Sequence, residues 1–384
     1  MKTFYFDNNA TTQVAPEVID AMMPFFRDLW GNPSSMHHFG GQVKHYIDKA
    51  REEVAALLGA DPAEIVFTSC GTESDNMAVY GAVEAAPEKV RIITSRVEHY
   101  AVLSACRHFK KHGYEVVEIG VDGDGQLNLN QLAEELSKGP AVVSIMAANN
   151  ETGVIFPIEQ IGRMVKQAGS VMHTDAVQIA GKIPMKVHDM PVDMLSISGH
   201  KLHAPKGIGA LYVRKGTRLQ TFLLGGHQEE GRRGGTENVP YIAGLGRACE
   251  LARDNLAGEA DNMARLRDKL EQGILQNCPK DTLINGGKSP RLPNTSNISF
   301  FGIEGEAILY HLSDLGIAAS SGSACTSGSL EPSHVIRAMG VPPEHAAGST
   351  RFSLSRYTTE DEVDYVIRHV PEIVERLREI SPFV

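Results

Sequence analysis

The chain has few cysteines and none close together, and that scarcity excludes more than it suggests. Cys70, Cys106, Cys249, Cys278 and Cys325 are an odd number with no Cys-x-x-Cys spacing. Neither a disulfide framework nor a zinc knuckle is therefore expected, and in a reducing compartment each reads first as a small apolar residue. Dense basic blocks are missing too. The net charge is −10, and the pair Arg232-Arg233 is too small a face to neutralise a run of phosphates, which argues against a nucleic-acid partner. The opening MKTFYFDNNATT lacks the basic-then-apolar order of a secretory signal, and no apolar run is long enough to cross a bilayer. A cytoplasmic protein with no membrane partner is expected. The phosphate motifs of nucleotide enzymes are absent as well. Gly287-Lys288-Ser289 has Thr282 where the upstream glycine of a P-loop must stand, and no Gly-x-Gly-x-x-Gly opens a helix after the first strand.

What is present is a body of enzyme size. With 384 residues, 42% hydrophobic and 22% charged, the chain falls in the soluble globular range and exceeds what one core usually serves. Val43, Ile47, Ala50, Val54, Leu57 and Leu58 recur at helical spacing across 39–58, and Gly59 supplies a stop. Short apolar runs then alternate with helix-like segments: EIVFT (64–68), VRIIT (90–94), AVVSIMA (141–147), SVMHT (170–174) and DMLSIS (193–198). Such alternation predicts an α/β fold with a mostly parallel sheet, whose ligands sit at the carboxyl ends of the strands. After about residue 258 the texture changes to a charged helix (260–276), strands at 294–300 and 350–355, and a closing helix striped by Val363, Val366, Val370 and Val374. The expected division is a large domain over 16–258 and a smaller α+β domain from 1–15 and 259–384, the latter carrying a Ser/Gly loop at 320–334.

The residues just past the predicted strands are polar or glycine, and they supply the candidates. Lys201 leaves a strand through Ser198-Gly199-His200, a position suited to Schiff-base chemistry; its ordinary alternative is a surface lysine. Asp175 follows a strand, where a buried carboxylate keeps a pyridine nitrogen protonated or merely caps a helix. His99 opens a helix and serves as a stacking ring, a proton carrier or a cap. Gly71-Thr72 begins another helix, a ready anion site, while Asn150 and Gln178 offer hydrogen bonds to a ring hydroxyl. Cys325 sits in SSGSACTSGS, a run of small polar residues unable to pack as core, so its sulfur is expected to be reachable. Arg351 presents a planar fork suited to a carboxylate.

Taken together, these residues and longer motifs resemble the NifS-type cysteine desulfurases of the class-V aminotransferase family. The motifs are DNNATT (7–12), GNPSS (31–35), TSCGTES (68–74), EHYAV (98–102), NNETG (149–153), HTDAVQ (173–178), GHKLHAPKG (199–207), GRRGGTEN (231–238), SSGSACTSGSLEPSHV (320–335) and TRFSLSRYTT (350–359). The resemblance implies a fold-type-I transferase dependent on pyridoxal 5′-phosphate, a homodimer with its sites at the subunit interface. It implies that Lys201 carries the cofactor and then moves protons, that Asp175 pairs with the pyridine nitrogen, and that His99 stacks on the ring. Asn150 and Gln178 would contact the ring, Asn150 the substrate as well. Gly71, Thr72, Ser198 and His200 would bind the phosphate, joined by Thr236 of the partner subunit. Arg351 would receive the carboxylate of L-cysteine, and Cys325 its sulfur as a persulfide for an iron–sulfur scaffold protein. No resident metal is implied, beyond transient contact of Cys325 with a cluster. Tyr100 stands where close relatives carry proline, and Gly199 where many carry alanine. The alternatives are a selenocysteine lyase or another enzyme of this fold and, from a different class, a non-catalytic metal-cluster scaffold.

Overall fold

The computed structural model describes residues 3–86, 90–278, 280–321 and 332–382. After β1 (Phe4–Tyr5), the central sheet is built from β2 (Ile65–Thr68), β3 (Arg91–Ser95), β4 (Val116–Ile119), β5 (Ala141–Ser144), β6 (Val171–Asp175), β7 (Met194–Ser198) and β8 (Gly209–Val213). Among the described residues its order is β2-β8-β7-β6-β5-β3-β4, with β8 antiparallel to both neighbours and the other pairings parallel. Every residue of β2, β5, β7 and β8 is buried, so these strands lack the apolar-polar alternation of a strand with one wet face. The five predicted runs appear as β2, β3, β5, β6 and β7. Within this sheet, among the described residues, the unanticipated strands are β4, a half-buried edge, and β8, which follows the Lys201 turn closely.

Helices cover the sheet. The one predicted over 39–58 is split: a turn at His38–Gly41 precedes the helix Lys44–Leu58, which ends at Gly59 with φ +67°, a left-handed conformation glycine adopts without strain. The helices Gly71–Glu84, Tyr100–Lys111 and Ile158–Gln167 start just past β2, past the β3 turn and after β5.

One helix, Val239–Asn277, runs 39 residues without a break, passing straight through position 258, where the sequence suggested a change of region. Its first half lies so close to Lys44–Leu58 that a Cβ at Gly246 would stand 2.6 Å from Ala50 Cα. Its second half places Leu266, Leu270 and Ile274 in a separate apolar core with Phe6, Phe300, Phe352 and the closing helix Glu360–Glu379. That core backs a smaller antiparallel sheet of β9 (Thr282–Ile284), β10 (Thr295–Phe300), β12 (Ser320–Ser321) and β13 (Ser349–Ser353). β1 pairs in parallel with β11 (Ile317–Ala318). Val335, Ile336 and Met339 pack into the larger core instead.

This arrangement brings the N-terminal segment over the carboxyl ends of the large sheet. Asp7 bridges Ser353 in β13, and five residues later Thr12 N donates to His200 O at 2.9 Å.

Candidate active site

The carboxyl ends of five strands enclose a cavity of about 290 Å³, close to the lower end of small-molecule sites. β2 leads to Gly71 and Thr72, β3 to His99, and β5 to Met146 and Asn150. β6 supplies Asp175, Val177 and Gln178, β7 supplies Ser198, His200 and Lys201, and the second region contributes Arg351 from β13. Ten residues singled out in the sequence thus line one cavity. Thr236 does not; it is exposed in the segment before the helix Val239–Asn277. Cys325 lies outside the described residues.

Lys201 closes the short helical turn Gly199–Lys201 that follows β7. The turn presses on Ile208, just before β8, since a Cβ at Gly199 would meet its Cγ2 at 2.7 Å; glycine rather than alanine suits this backbone. Lys201 Nζ donates to Ala10 O at 2.8 Å and to Asn9 O, so the amine rests on the N-terminal segment, partly buried.

Asp175 is 6% exposed and its Oδ1 accepts from Val177 N at 2.9 Å. Burial pushes its carboxyl above the usual range, while His99, the Val177 amide and Lys201 pull it back. A cationic partner entering the cavity would favour the carboxylate. His99 caps the helix Tyr100–Lys111, its Nδ1 accepting from Ala101 N at 3.1 Å. In the neutral ring that acceptor role leaves the proton on Nε2, and burial favours the neutral ring by lowering its pKa.

At the other end of the cavity the residues suit an anion. Ser198 Oγ is buried with no hydrogen-bond partner among the described residues. A Cβ at Gly71 would stand 3.0 Å from Val177 Cγ2 and 3.2 Å from Ser198 Cβ, so only a bare backbone leaves that cradle open. The helix Gly71–Glu84 starts there without a side-chain cap from Cys70, leaving its first N–H groups for a ligand. His200 Nδ1 lies 3.2 Å from Thr11 Oγ1, and burial, reinforced by Lys201 and Lys206, lowers its pKa to about 4.

Arg351 is 2% exposed; its Nη1 donates to Asn150 O at 3.0 Å and its Nη2 to Asp7 Oδ1 at 2.7 Å. Behind it Glu151 accepts from Ser333 Oγ, and burial raises the Glu151 carboxyl to about 7 against the pull of Ser333 and Arg351.

Sequence reasoning missed several lining groups. Asn9 and Ala10 belong to DNNATT, visible as a motif but with no strand to locate it. Asp75, one turn into the helix Gly71–Glu84, is 1% exposed with Nε2 of His173 3.6 Å from its Oδ1, and burial and Asp175 hold its carboxyl well up. Cys70 corrects an expectation: it reads as a buried, inert thiol, yet it is half-buried and lines the cavity, because the strand-to-helix turn points inward. Cys106, Cys249 and Cys278 are buried as expected. Among the described residues no group of three or more His, Cys, Asp or Glu side chains is placed to hold a metal ion.

Comparison with known proteins adds independent findings. The chain matches the aminotransferase class-V family over residues 4–366. It is 59% identical over 383 residues to a protein of Trichormus azollae named cysteine desulfurase, covering 100% of this chain and 96% of the relative. It is 55% identical over 384 residues to cysteine desulfurase NifS of Azotobacter vinelandii, covering 100% and 95%. Among solved structures, SspA in complex with cysteine superposes with a TM-score of 0.82 at 36% identity, over 93% of this chain and 100% of that one.

Proposed function

The chain belongs to the aminotransferase class-V family and, within it, to the cysteine desulfurases of the NifS type, and from that premise we propose how its residues divide the work. The reading is that the protein converts L-cysteine to L-alanine with pyridoxal 5′-phosphate as cofactor and passes the sulfur on as a persulfide. The observation that carries it is the convergence of Lys201, Asp175 and Arg351 on one cavity that also holds an anion cradle at Ser198 and Gly71. An amine, a buried carboxyl and an anion cradle fit a phosphorylated pyridine aldehyde. When bound, that group supplies an electron sink for the pair left on the substrate's α-carbon.

The chain's own residues do the rest. Arg351 would take the substrate carboxylate, and Lys201 Nζ, which rests on Asn9 O and Ala10 O, would remove the α-proton and hold it there. Asp175 would keep a bound ring nitrogen protonated, His99, Asn150 and Gln178 would hold the ring, and Gly71, Thr72, Ser198 and His200 would hold the phosphate. The Cys325 thiolate then attacks the substrate sulfur: an S–S bond forms as the C–S bond breaks, and its electron pair stays with the carbon, which takes up a proton. The products are L-alanine and a Cys325 persulfide.

The same reading makes the protein a cytoplasmic homodimer, in which the exposed Thr236 reaches the neighbouring subunit's phosphate, and a sulfur donor to an iron–sulfur scaffold, serving nitrogenase maturation or general supply. We retain a large domain over 16–258 and a smaller one from 1–15 and 259–384, supported by the second apolar core, whose buried residues all fall in the smaller one, while Val335, Ile336 and Met339 cross to the larger core. Among the described residues no helix is long and apolar enough to cross a membrane.

Mass spectrometry after cysteine treatment tests the reading: added sulfur belongs on the peptide containing Cys325, and borohydride should fix the cofactor to Lys201. Replacing Cys325 with alanine should keep the cofactor's colour and abolish sulfide release; full sulfide output would remove Cys325 from the reaction.

A further inference from the structure

A second lysine is buried behind Lys201. Lys182 is 7% exposed, and its Nζ donates to Gln178 O at 3.0 Å and to Gln178 Oε1 at 3.3 Å. Both acceptors are neutral amide oxygens. The acid that shares its small cavity, Glu259, is engaged with Arg356 at 3.2 Å. Burial, then the charge of Lys201, lower the Lys182 amine to about 7. An amine this enclosed, without a counter-charge among the described residues to repay its desolvation, is expensive to keep, so its contacts need an explanation beyond packing.

Those contacts lead to the cofactor site. Gln178 is held at both ends of its amide: Oε1 receives Lys182, and Nε2 donates to Asn9 O at 3.2 Å. That same Asn9 carbonyl accepts from Lys201 Nζ. A hydrogen-bonded chain therefore runs from Lys182 Nζ through the Gln178 amide and the Asn9 carbonyl to Lys201 Nζ. A side-chain amide has nearly the same shape either way round, and its partners decide which end is which. Charged or neutral, Lys182 Nζ keeps an N–H for Oε1, and the Asn9 carbonyl can only accept, so Oε1 turns toward Lys182 and the NH₂ group faces Asn9 and the cavity.

We propose that Lys182 is a positioning residue that orients Gln178 and, through the Asn9 carbonyl, sets the resting place of the Lys201 amine. The proposal rests on the reading of the cavity as a pyridoxal-phosphate site, with Gln178 contacting the ring. Without Lys182 the Gln178 amide is held at one end only, by the Asn9 carbonyl, so it swings more freely where the site offers a donor and its hold on the carbonyl that Lys201 shares loosens.

The test uses the full chain carrying Lys182→Met, which keeps the length of the side chain and removes the donor. Pyridoxal phosphate is titrated against its visible band to give a dissociation constant, the band's pH midpoint is recorded, and the melting temperature of the cofactor-free chain is measured. The dissociation constant should rise roughly tenfold, the scale seen when a group orienting a ligand-contacting side chain is lost, and the midpoint should move. Gln178→Ala should shift both in the same way, and the double variant should add little, because the two act through one link. The melting temperature should change little. Effects that add independently, or a constant and midpoint equal to the unaltered chain, would overturn the proposal. If Lys182→Met does not accumulate, Lys182→Gln serves instead, its amide ending one atom short of Gln178. An unaltered chain that shows no visible band overturns the proposed function itself; a normal band indifferent to Lys182 overturns this inference alone.

Discussion

Arg351 Nη2 donates to Asp7 Oδ1 at 2.7 Å, so the guanidinium assigned to the substrate carboxylate already touches a carboxylate of the chain. Nη1 is anchored on Asn150 O, and Nε has no hydrogen-bond partner among the described residues. Asp7 and Asn150 thus hold the planar group still at the wall of the cavity, each taking one N–H from a different Nη. Lysine cannot reproduce that geometry, because it offers a point charge instead of a fork. Arg351→Lys should raise KM for cysteine about 10- to 100-fold, the equivalent of roughly 1.5–3 kcal/mol for charge-assisted bonds, with a smaller fall in kcat and an unchanged cofactor band. Steady-state kinetics checks this, and a KM within twofold of the parent would place the substrate carboxylate elsewhere.

Asp175 lies at the end of β6 with one oxygen fixed by Val177 N. Asparagine in its place retains the shape and the oxygen acceptor but carries no charge. Asp175→Asn should therefore bind pyridoxal phosphate and still lose at least about 100-fold in alanine formation, the usual scale for deleting an electrostatic group aimed at developing charge. Normal turnover with an altered absorption maximum would show that the ring nitrogen needs no ionised partner here.

The sequence was most legible where strands are buried on both faces. β2, β5 and β7 announce themselves as apolar runs, and the polar residues after them point into the cavity. Residues that depend on a distant segment were harder to read. Asn9 and Ala10 meet Lys201 only because β1 pairs with β11 and carries the N-terminal segment across, and nothing local to DNNATT encodes that pairing. The helix Val239–Asn277 hid its length for a related reason. Its two halves bury their apolar faces against different cores, so the pattern changes midway while the backbone continues. Cys70 was misread because cysteine's usual burial outweighed its place in a strand-to-helix turn.

The thiols should divide sharply under alkylation. Cys106 is raised by burial to about 12, and Cys249 is raised further by the same cause, so neither supplies appreciable thiolate at pH 8. Iodoacetamide should leave both unmodified in the folded chain while reaching Cys70 in the cavity, and added pyridoxal phosphate should slow the Cys70 reaction. Peptide mass spectrometry reads all three sites at once. Modification of Cys249 at the rate of Cys70 would mean that the core opens far more readily than its packing implies.

Glu98 gives the pH dependence its clearest handle. It is fully buried between β3 and the helix Tyr100–Lys111, its Oε1 accepting from Ser95 Oγ at 2.7 Å and from Met146 N at 2.9 Å. Burial, opposed by those two donors and aided by the charge of Asp175, raises its carboxyl to about 8. In the unfolded chain the same group titrates near the ordinary glutamate value, roughly 4.3. Between those values the folded chain holds a proton that the unfolded chain has released. Its contribution to stability is therefore fully present below about 4.3 and is lost as pH rises toward 8, with a slope of at most about 1.4 kcal/mol per pH unit. Glu98→Gln keeps an acceptor for Ser95 and Met146 but has no proton to lose. His173 and His200, whose pKa values burial lowers to about 3 and about 4, penalise the fold in acid, and Lys182, lowered to about 7, does the same with a cost that fades only as pH rises above 7; these groups are common to both chains and cancel in the difference. The variant should gain on the parent by a few kcal/mol between pH 5 and pH 8, measured as urea unfolding of the cofactor-free chains. A difference that stays flat with pH would mean that Glu98 ionises in the fold as readily as in water.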